Sequence, residues 1–398
     1  MLSFLLYLVL CYRFLKRSEN LWLFLFGTSL LLFNPFIIEY FSLARGYGLS
    51  LGFMMSSLYF LFKGNLLIQR HQSIIKDFAV SMFFASMALL SSLSAINFFI
   101  AVLLIFAFQY LWLTITGSVH TLKDHSVFSG IILLSCIPLV FAVRRLFWLR
   151  ISNQLYFGSE SFDYTIFSLI MNSLNHKEYH PIFDVIKYFV YLIFPLGILF
   201  IILKKLFYGP FFKITLLLIL ITSGLVIEHL LFGVKYPVER AAIYFVPLSA
   251  LFLYFFVENL IQYIPARSTI IFSVLLCSLI ALPLFGVFLS TSNFTYTTTW
   301  RYDAHTKDMM QDIEGLTSKM KDNKDKFSIG NHWLFEPAIN YYIRSRNLNF
   351  FPATRDSVNT NADFLYEFTA DQNQPSYKEL SVYKDIGTGL YQKTKTNK

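Results

Sequence analysis

The stretch "FNPFIIEYFSLARGYGLSLGF" (residues 33–53) places charged side chains inside an otherwise apolar region. Glu39 and Arg45 lie between two apolar runs of about 20 residues each, which is the length that a membrane span needs. An ionisable group at membrane depth costs about 2.5–3.5 kcal/mol on insertion scales, so such groups usually face a polar cavity or mark a functional site. The stretch therefore predicts a helical membrane protein that carries a polar site.

The composition of the whole chain agrees with a membrane protein. Of the 398 residues, 56% are hydrophobic and only 14% are charged, against roughly 25% charged residues in ordinary soluble domains. Apolar stretches recur up to about residue 290, and each is long enough to cross a hydrocarbon layer roughly 30 Å thick. We predict an all-α polytopic membrane bundle of ten transmembrane helices, at residues 2–15, 20–37, 47–63, 78–94, 97–116, 126–143, 182–203, 213–233, 241–258 and 268–290.

The last part of the chain, residues 291–398, is polar, with 14 Lys or Arg residues and 13 Asp or Glu residues. Strand-like runs at Lys326–Gly330, Ala362–Phe368 and Leu390–Lys393 alternate with helix-like runs at Thr306–Met320 and Glu336–Arg346. Two domains are therefore predicted: a transmembrane domain over residues 1–290, with an outer loop at 144–181, and a small soluble α/β domain over residues 291–398.

The net charge of +9 is explained by membrane topology, so no nucleic-acid partner is predicted. Basic residues concentrate in three short loops, Arg13–Arg17, Lys63–Lys76 and Lys204–Lys213, which the positive-inside rule assigns to the cytoplasm. The segments 39–47, 144–181 and 235–240 and the C-terminal domain then face outward. The predicted location is the cytoplasmic (inner) membrane, with many passes and an extracytoplasmic C-terminal domain.

Mixed charges gather at the predicted outward ends of the spans, and each group has two interpretations. Glu39 and Arg45 fit either a structural ion pair near the membrane surface or a contact to substrate. Glu228 and His229, at the end of the eighth predicted span, fit either a packed polar pair or a ligand contact.

The stretch "KYPVERAAIYF" (residues 235–245) carries the next group of charges. It fits an interfacial turn, in which charged side chains reach toward water beside an aromatic belt. It also fits an anion site, because Arg240 follows Glu239 at the start of an apolar span, where a guanidinium and a helix N-terminus both favour a phosphate.

Cofactor motifs are weak in this sequence. His176 and His180, with Glu178 between them, resemble a metal pattern without a third ligand, and a solvated loop is the favoured interpretation. We find no Walker loop, no G-x-G-x-x-G before a helix and no zinc-type cysteine pairs. No cofactor is predicted from these patterns, although a divalent metal stays open. The three cysteines fall inside predicted spans, where a disulfide is not expected.

Three stretches, in this order, resemble the GT-C class of bacterial membrane glycosyltransferases. They are "NPFIIEYFSLARGYGLSLGF" (34–53), "LYFGSESFDYTIFSLI" (155–170) and "GVKYPVERAAIYFVPL" (233–248), followed by a terminal outer domain that begins "TTTWRYDAHTKDMM" (297–310). The class includes protein mannosyltransferases and aminoarabinose transferases, and the likeness is to a subgroup common among Bacteroidetes-type sequences.

The resemblance implies an enzyme that transfers a sugar from a polyprenyl-phosphate donor to a lipid, glycan or protein acceptor on the outer face of the membrane. Such an enzyme needs a groove for the lipid tail, a cation at the phosphate and a carboxylate base. For this role the sequence offers Arg45 and Arg240 at the donor phosphate, the carboxylates Glu39, Asp163 and Glu239 as catalytic candidates, and Tyr47, Glu228, His229, Lys235 and Tyr236 in the substrate cavity.

One departure from the class concerns the catalytic acid. In the class the principal acid lies in the first outer loop, after a first transmembrane helix, whereas "MLSFLLYLVLCYRFLKR" (1–17) resembles the span that follows that loop. The resemblance thus implies that the first helix and its loop are missing and that this chain alone is inactive. The catalytic base is left unassigned.

Two other classes of protein were weighed against the sequence. An O-antigen ligase or polymerase also has ten to twelve spans and arginine-rich outer loops, but the acidic residues at 39 and 239 and the soluble C-terminal domain argue against it. A lipid or polysaccharide transporter ranks last, because the sequence shows neither a repeat between its halves nor a Gly/Pro-broken pair of spans.

Overall fold

The computed structural model of the protein describes residues 2–43, 45–63, 71–115, 122–152, 157–175, 179–292, 296–318, 326–355, 361–369 and 376–394. The chain divides into two compact units, Met1–Ser292 and Asn293–Lys398. The first unit is helical, and the second combines helices with a small sheet.

Helices α1 to α13 make up the first unit. Their bounds are α1 (Leu2–Leu15), α2 (Leu21–Leu32), α3 (Pro35–Ser42), α4 (Gly46–Lys63), α5 (His71–Ser91), α6 (Ile96–Ile115), α7 (Leu122–Ile151), α8 (Phe162–Ser173), α9 (Ile182–Lys204), α10 (Pro210–Phe232), α11 (Phe245–Ile261), α12 (Ala266–Leu276) and α13 (Leu282–Thr291). A π-helical turn, Cys277–Ala281, joins α12 to α13, so these two helices form one apolar rod.

Within the described residues, five helices are long and apolar enough to cross a membrane, or six if α2 and α3 together count as one bent span. The five are α6, α7, α9, α10 and the α12–α13 rod, and they indicate a membrane protein. The structure thus has fewer candidate spans than the ten predicted. The segments α1 and α11 are helical but short, with 14 and 17 residues. Gly, Ser and Tyr residues lower the hydropathy of α4, and the polar residues of its first turns lower that of α5.

The predicted span 20–37 is broken rather than continuous. The axes of α2 and α3 differ by 52° at a break that contains Asn34 and Pro35. Proline disfavours a helical conformation at the residue before it, and the Asn34 side chain caps α3 by accepting a hydrogen bond from the Ile37 amide at 3.3 Å. This break corrects in part the interpretation that no Pro-broken span is present, and it places Glu39 on a short helix of its own.

Glycines allow α4 to pack closely against its neighbours. A Cβ atom at Gly48 would lie 2.6 Å from the carbonyl oxygen of Tyr40 on α3, and one at Gly52 would lie 2.9 Å from that of Ser3 on α1. Small residues at such contacts are how helices approach in lipid, where the hydrophobic effect does not drive them together. The position of α3 beside α4 therefore depends on the absence of a side chain at Gly48.

The predicted outer loop at 144–181 is partly helical. The helix α7 continues to Ile151, so Arg144, Arg145 and Arg150 lie on its last two turns, and α8 occupies the middle of the segment. Helix α7 thus continues past residue 143, the predicted end of its span, because "RRLFWLRI" contains good helix formers and no glycine or proline.

The second unit contains α14 (Thr306–Thr317), α15 (Glu336–Ser345) and the strands β1 (Ile329–Asn331), β2 (Phe364–Phe368), β3 (Tyr377–Tyr383) and β4 (Thr388–Lys393). The strands form one sheet in the order β1-β2-β4-β3, with β1 parallel to β2 and the other pairs antiparallel. Phe335, Ile339 and Met309 are fully buried in its core, and burial of one such side chain stabilises a fold by about 1.5–3 kcal/mol.

Candidate functional site

Two stretches that the sequence analysis singled out separately lie against each other in the structure. Ser159 and Tyr236 exchange backbone hydrogen bonds, of 3.0 Å from the Ser159 amide and 2.8 Å from the Tyr236 amide. Gly158 adopts φ +152°, and a Cβ atom there would lie 2.6 Å from the Cβ of Lys235 and 2.9 Å from the Tyr236 carbonyl oxygen. Only glycine fits this approach. We call residues 157–168 and 228–245 together the docked pair.

Arg240 lies at the edge of the docked pair. Its guanidinium carbon is 5.3 Å from the centre of the Phe157 ring, and the side chain is half-buried. Among the residues that the structure describes, no carboxylate forms an ion pair with Arg240. A guanidinium on an aromatic face keeps the edges of its planar fork available for hydrogen bonds. The arrangement can therefore bind an anion.

The position of Arg240 relative to the following helix differs from the prediction. Arg240 lies in a short 3₁₀ turn, Glu239–Ala242, and α11 begins only at Phe245. The prediction that this residue begins a long helix is wrong, because the apolar run from Ala241 conceals the turn. The dipole of α11 is thus not the source of a favourable field at Arg240.

Glu239 has an unusual backbone. Its φ angle is +49°, in the left-handed region that residues other than glycine, Asn and Asp seldom adopt. Its amide donates a hydrogen bond of 3.1 Å to Oγ of Ser168 on α8, and this hydroxyl in turn donates to the Thr165 carbonyl oxygen at 2.9 Å. Such strain persists only where the surroundings over-determine the conformation, and it clusters at functional sites.

Glu228 and His229 border the docked pair at the end of α10. The Asn97 amide donates a hydrogen bond of 3.1 Å to Glu228 Oε2. His229 Nδ1 donates to the Val234 carbonyl oxygen at 2.9 Å, because a carbonyl can only accept, and the His229 ring stacks on Tyr236 with centroids 4.5 Å apart. His229 is therefore held against Tyr236 of the docked pair, and Glu228 is held by Asn97 of α6.

Lys235 also has a partner in the docked pair. Its ammonium lies 3.5 Å from Glu160 Oε1, with both side chains well exposed, so the pair contributes little to stability. It still links the two stretches across the Ser159–Tyr236 bridge.

Asp163 is turned toward α9. Its Oδ2 lies 3.2 Å from Nζ of Lys187, and its Oδ1 accepts a hydrogen bond of 2.9 Å from the Tyr191 hydroxyl. Lys187 also lies 3.3 Å from Asp184 on its own helix. Since both oxygens of Asp163 are occupied, it is a weaker candidate for a base than Glu239.

Glu39, Arg45 and Tyr47 come from the stretch around α3. Glu39 is half-buried, Arg45 is exposed, and the Tyr47 ring meets Tyr40 edge-on with centroids 5.3 Å apart. Helix α3 packs against α8, so Glu39 lies on a helix that adjoins the docked pair. Among the described residues, no hydrogen bond or ion pair joins these three side chains to Glu239 or Arg240.

Several residues of the docked pair carried no signal in the sequence. Ser159, Ser168 and Phe157 contribute through backbone pairing, a single hydroxyl and a ring face, none of which has a motif. Lys187 and Asn97 act on residues far away in the chain. The turn-forming residues "FGSES" (157–161) are the one local sequence pattern that could have indicated the close approach of Gly158 to Lys235 and Tyr236.

A metal centre is not formed by the described residues: none of their His, Cys, Asp and Glu side chains form a group of three or more that could hold an ion. In the weak pattern of the sequence analysis, His176 and Glu178 lie outside the described residues, while His180 is exposed at the start of α9.

Comparison with protein-family models, with curated proteins and with solved structures gives no significant match to this chain.

Proposed function

We propose that the protein is a membrane glycosyltransferase that transfers a sugar from a polyprenyl-phosphate donor to a lipid, glycan or protein acceptor at the outer face of the cytoplasmic membrane. The observation that supports this best is Arg240, half-buried on the Phe157 ring and without a carboxylate partner in the described residues. Arginine binds phosphate oxygens with two parallel hydrogen bonds, and lipid phosphate is the anion that a membrane presents at its surface.

In the proposed reaction the bond between the anomeric carbon and the donor phosphate oxygen breaks, and a bond forms from that carbon to the acceptor oxygen. The hydroxyl proton of the acceptor passes to a carboxylate, for which we assign Glu239, with Glu39 as the alternative on α3. Negative charge develops on the departing polyprenyl phosphate, where Arg240 stabilises it. Arg45 is the second proposed cation, and the residues Tyr47, Glu228, His229, Lys235 and Tyr236 are proposed to line the sugar pocket.

The proposal is tested by sugar transfer in membranes that contain the full chain, with radiolabelled polyprenyl-phosphate donor. The variant Arg240→Gln is expected to lose about a hundredfold in transfer rate, as for removal of one preorganised donor from a charged transition state. Arg150→Gln is the matched control, since Arg150 is exposed on the last turn of α7. Donor binding is measured in the same membranes, so that Arg240 is tested whether or not turnover occurs. Unchanged binding and transfer in Arg240→Gln would remove the assignment.

A lipid or polysaccharide transporter is the second candidate, and one observation favours it. The 52° break between α2 and α3 resembles the discontinuous helices at which transporters bind cargo. Reconstituted vesicles distinguish the two: a transporter moves the lipid-linked sugar between leaflets without cleaving it, whereas the proposed enzyme releases polyprenyl phosphate.

A further inference from the structure

A groove of about 560 Å³ lies between α5 and α7, away from the docked pair. Its lining is apolar apart from two serines, and it includes Met82 and Phe83 of α5 and Leu134, Pro138 and Phe141 of α7. Phe83, Leu134 and Phe141 are largely exposed, so the groove opens outward from the helix pair. None of the residues assigned to sugar transfer lines it.

The groove is as long as one leaflet of a bilayer. Helices α5 and α7 run in the same direction, because Phe78 stacks on Phe128 at one end, with centroids 4.9 Å apart, and Leu90 and Phe141 line the other end. The lining residues run from Ala79 to Leu90 on α5 and from Ile131 to Phe141 on α7. This corresponds to about 15–17 Å of helix, close to half of the roughly 30 Å hydrocarbon core. One lipid chain therefore fits along it.

Two arginines lie at one end of the groove. Arg144 and Arg145 follow Phe141 by three and four residues, so they continue the face of α7 that lines the groove. Both are exposed, and neither forms an ion pair with a carboxylate in the part of the chain that the structure describes. At the other end, the buried carboxylate of Asp77 lies 3.6 Å from Nζ of Lys63. Arg144 and Arg145 therefore favour an anion at their end of the groove.

We infer that this groove binds an anionic phospholipid, with one acyl chain between α5 and α7 and the headgroup phosphate between Arg144 and Arg145. The guanidinium of Arg145 stacks on the Trp148 ring at 4.5 Å, which holds it at the end of the groove. Basic residues at the membrane surface attract anionic lipid, and guanidinium binds phosphate in a bidentate manner. The site uses other helices and other arginines than the transfer site, so its test does not depend on the proposed activity.

Native mass spectrometry of the detergent-purified full chain, titrated with phosphatidylglycerol or phosphatidylcholine, tests this inference. Phosphatidylglycerol is expected to bind first and more tightly. The double variant Arg144→Gln/Arg145→Gln is expected to bind it about thirtyfold more weakly, the ratio that about 1 kcal/mol for each arginine gives, with a smaller loss for phosphatidylcholine, whose choline cation offsets the charge of its phosphate. Arg150→Gln, five residues beyond Arg145 and on another face of α7, is the control and should behave like the parent.

Two further measurements keep the test decisive if the double variant misfolds. In the unaltered protein, raising the concentration of ammonium acetate should weaken phosphatidylglycerol binding more than phosphatidylcholine binding. Ser86→Phe, which fills the groove lining, should weaken both lipids. Equal affinities for the two lipids in the unaltered protein, or no response to salt, would overturn the inference. Tighter binding of polyprenyl phosphate than of phosphatidylglycerol at this site would instead assign the groove to the donor lipid and would equally overturn it.

Discussion

Gly158 shows how one residue without a reactive group controls the candidate site. A methyl group there would meet the Cβ of Lys235 at 2.6 Å and the Tyr236 carbonyl oxygen at 2.9 Å, in a backbone conformation with φ +152°. We expect Gly158→Ala to separate the docked pair and to lower stability by about 1–3 kcal/mol, with a parallel loss of donor binding. Thermal unfolding and donor binding in detergent measure both effects. Gly286→Ala, where nothing lies within 4 Å of the added atom, should change neither.

The sequence suggested candidate residues in the docked pair but could not supply their partners. Asp163 and Lys187 are 24 residues apart, and Asn97 and Glu228 are 131 residues apart. No periodicity links such positions, because the pairs arise only when helices pack. Charge at the end of an apolar run was therefore enough to nominate Glu228, but not to show that Asp163 turns toward α9.

His305 in the second unit carries a pH dependence that follows from its two partners. Its Nδ1 lies 3.1 Å from Asp308 and its Nε2 lies 3.0 Å from Asp385. Carboxylates only accept, so both bonds together require a protonated ring. Partial burial lowers the pKa of His305, but the two carboxylates outweigh burial and raise the pKa above its ordinary value of 6.5. The hydrogen bond from His305 lowers the pKa of Asp385 below 3.8.

From these pKa shifts we expect the second unit to be most stable in mildly acid solution. The raised pKa of His305 adds stability below 6.5 that is lost as the pH rises through the folded-state pKa. The lowered pKa of Asp385 adds stability above 3.8 that is lost as the pH falls through its folded-state pKa. Scanning calorimetry of the full chain should show the transition temperature of this unit falling as the pH rises above about 6.5. His305→Asn should abolish the fall, and His332→Gln should retain it; a fall that persists in His305→Asn would contradict the assignment.

Helix α3 follows the break after α2 and packs against α8 of the docked pair. Helix α4 packs against α3 and fixes the position of α3. An alanine at Gly48 would bring its Cβ to 2.6 Å from the Tyr40 carbonyl oxygen, and a backbone atom cannot move aside as a flexible side chain does. We expect Gly48→Ala to destabilise the first unit by about 1–3 kcal/mol. Gly130→Ala in α7, which meets nothing within 4 Å, should be neutral or slightly stabilising through helix propensity. Thermal unfolding monitored by far-ultraviolet circular dichroism compares the two, and equal effects would show that α3 tolerates displacement.

The sequence predicts some helices and strands of this protein and misses others. Strongly apolar runs predicted helices where α6, α9 and α10 lie, because composition alone favours helices in lipid. The break at Pro35 was missed, since the apolar run continues across it. The strand β3, "YKELSVY", was also missed: its polar residues do not alternate cleanly, and its pairing with β4 includes an irregularity between Glu379 and Ser381.

At the scale of the molecule, α9 separates the docked pair from the basic segment that follows it. It spans 23 residues, or about 35 Å of helix, more than the roughly 30 Å hydrocarbon core. Glu160 and Lys205 flank it and are both exposed. The positive-inside rule then predicts that Glu160 faces outward and Lys205 faces the cytoplasm.

Single cysteines at these two positions test the topology. A membrane-impermeant maleimide should label Glu160→Cys in intact cells. It should label Lys205→Cys only after the cells are permeabilised. The parent chain is the control, because Cys11 and Cys277 are buried and any signal from Cys136 is then subtracted. Labelling of both variants from the same side would mean that α9 does not cross the membrane. Labelling of Lys205→Cys alone would invert the bundle and move Arg240 to the cytoplasmic face, where a donor presented from outside could not reach it.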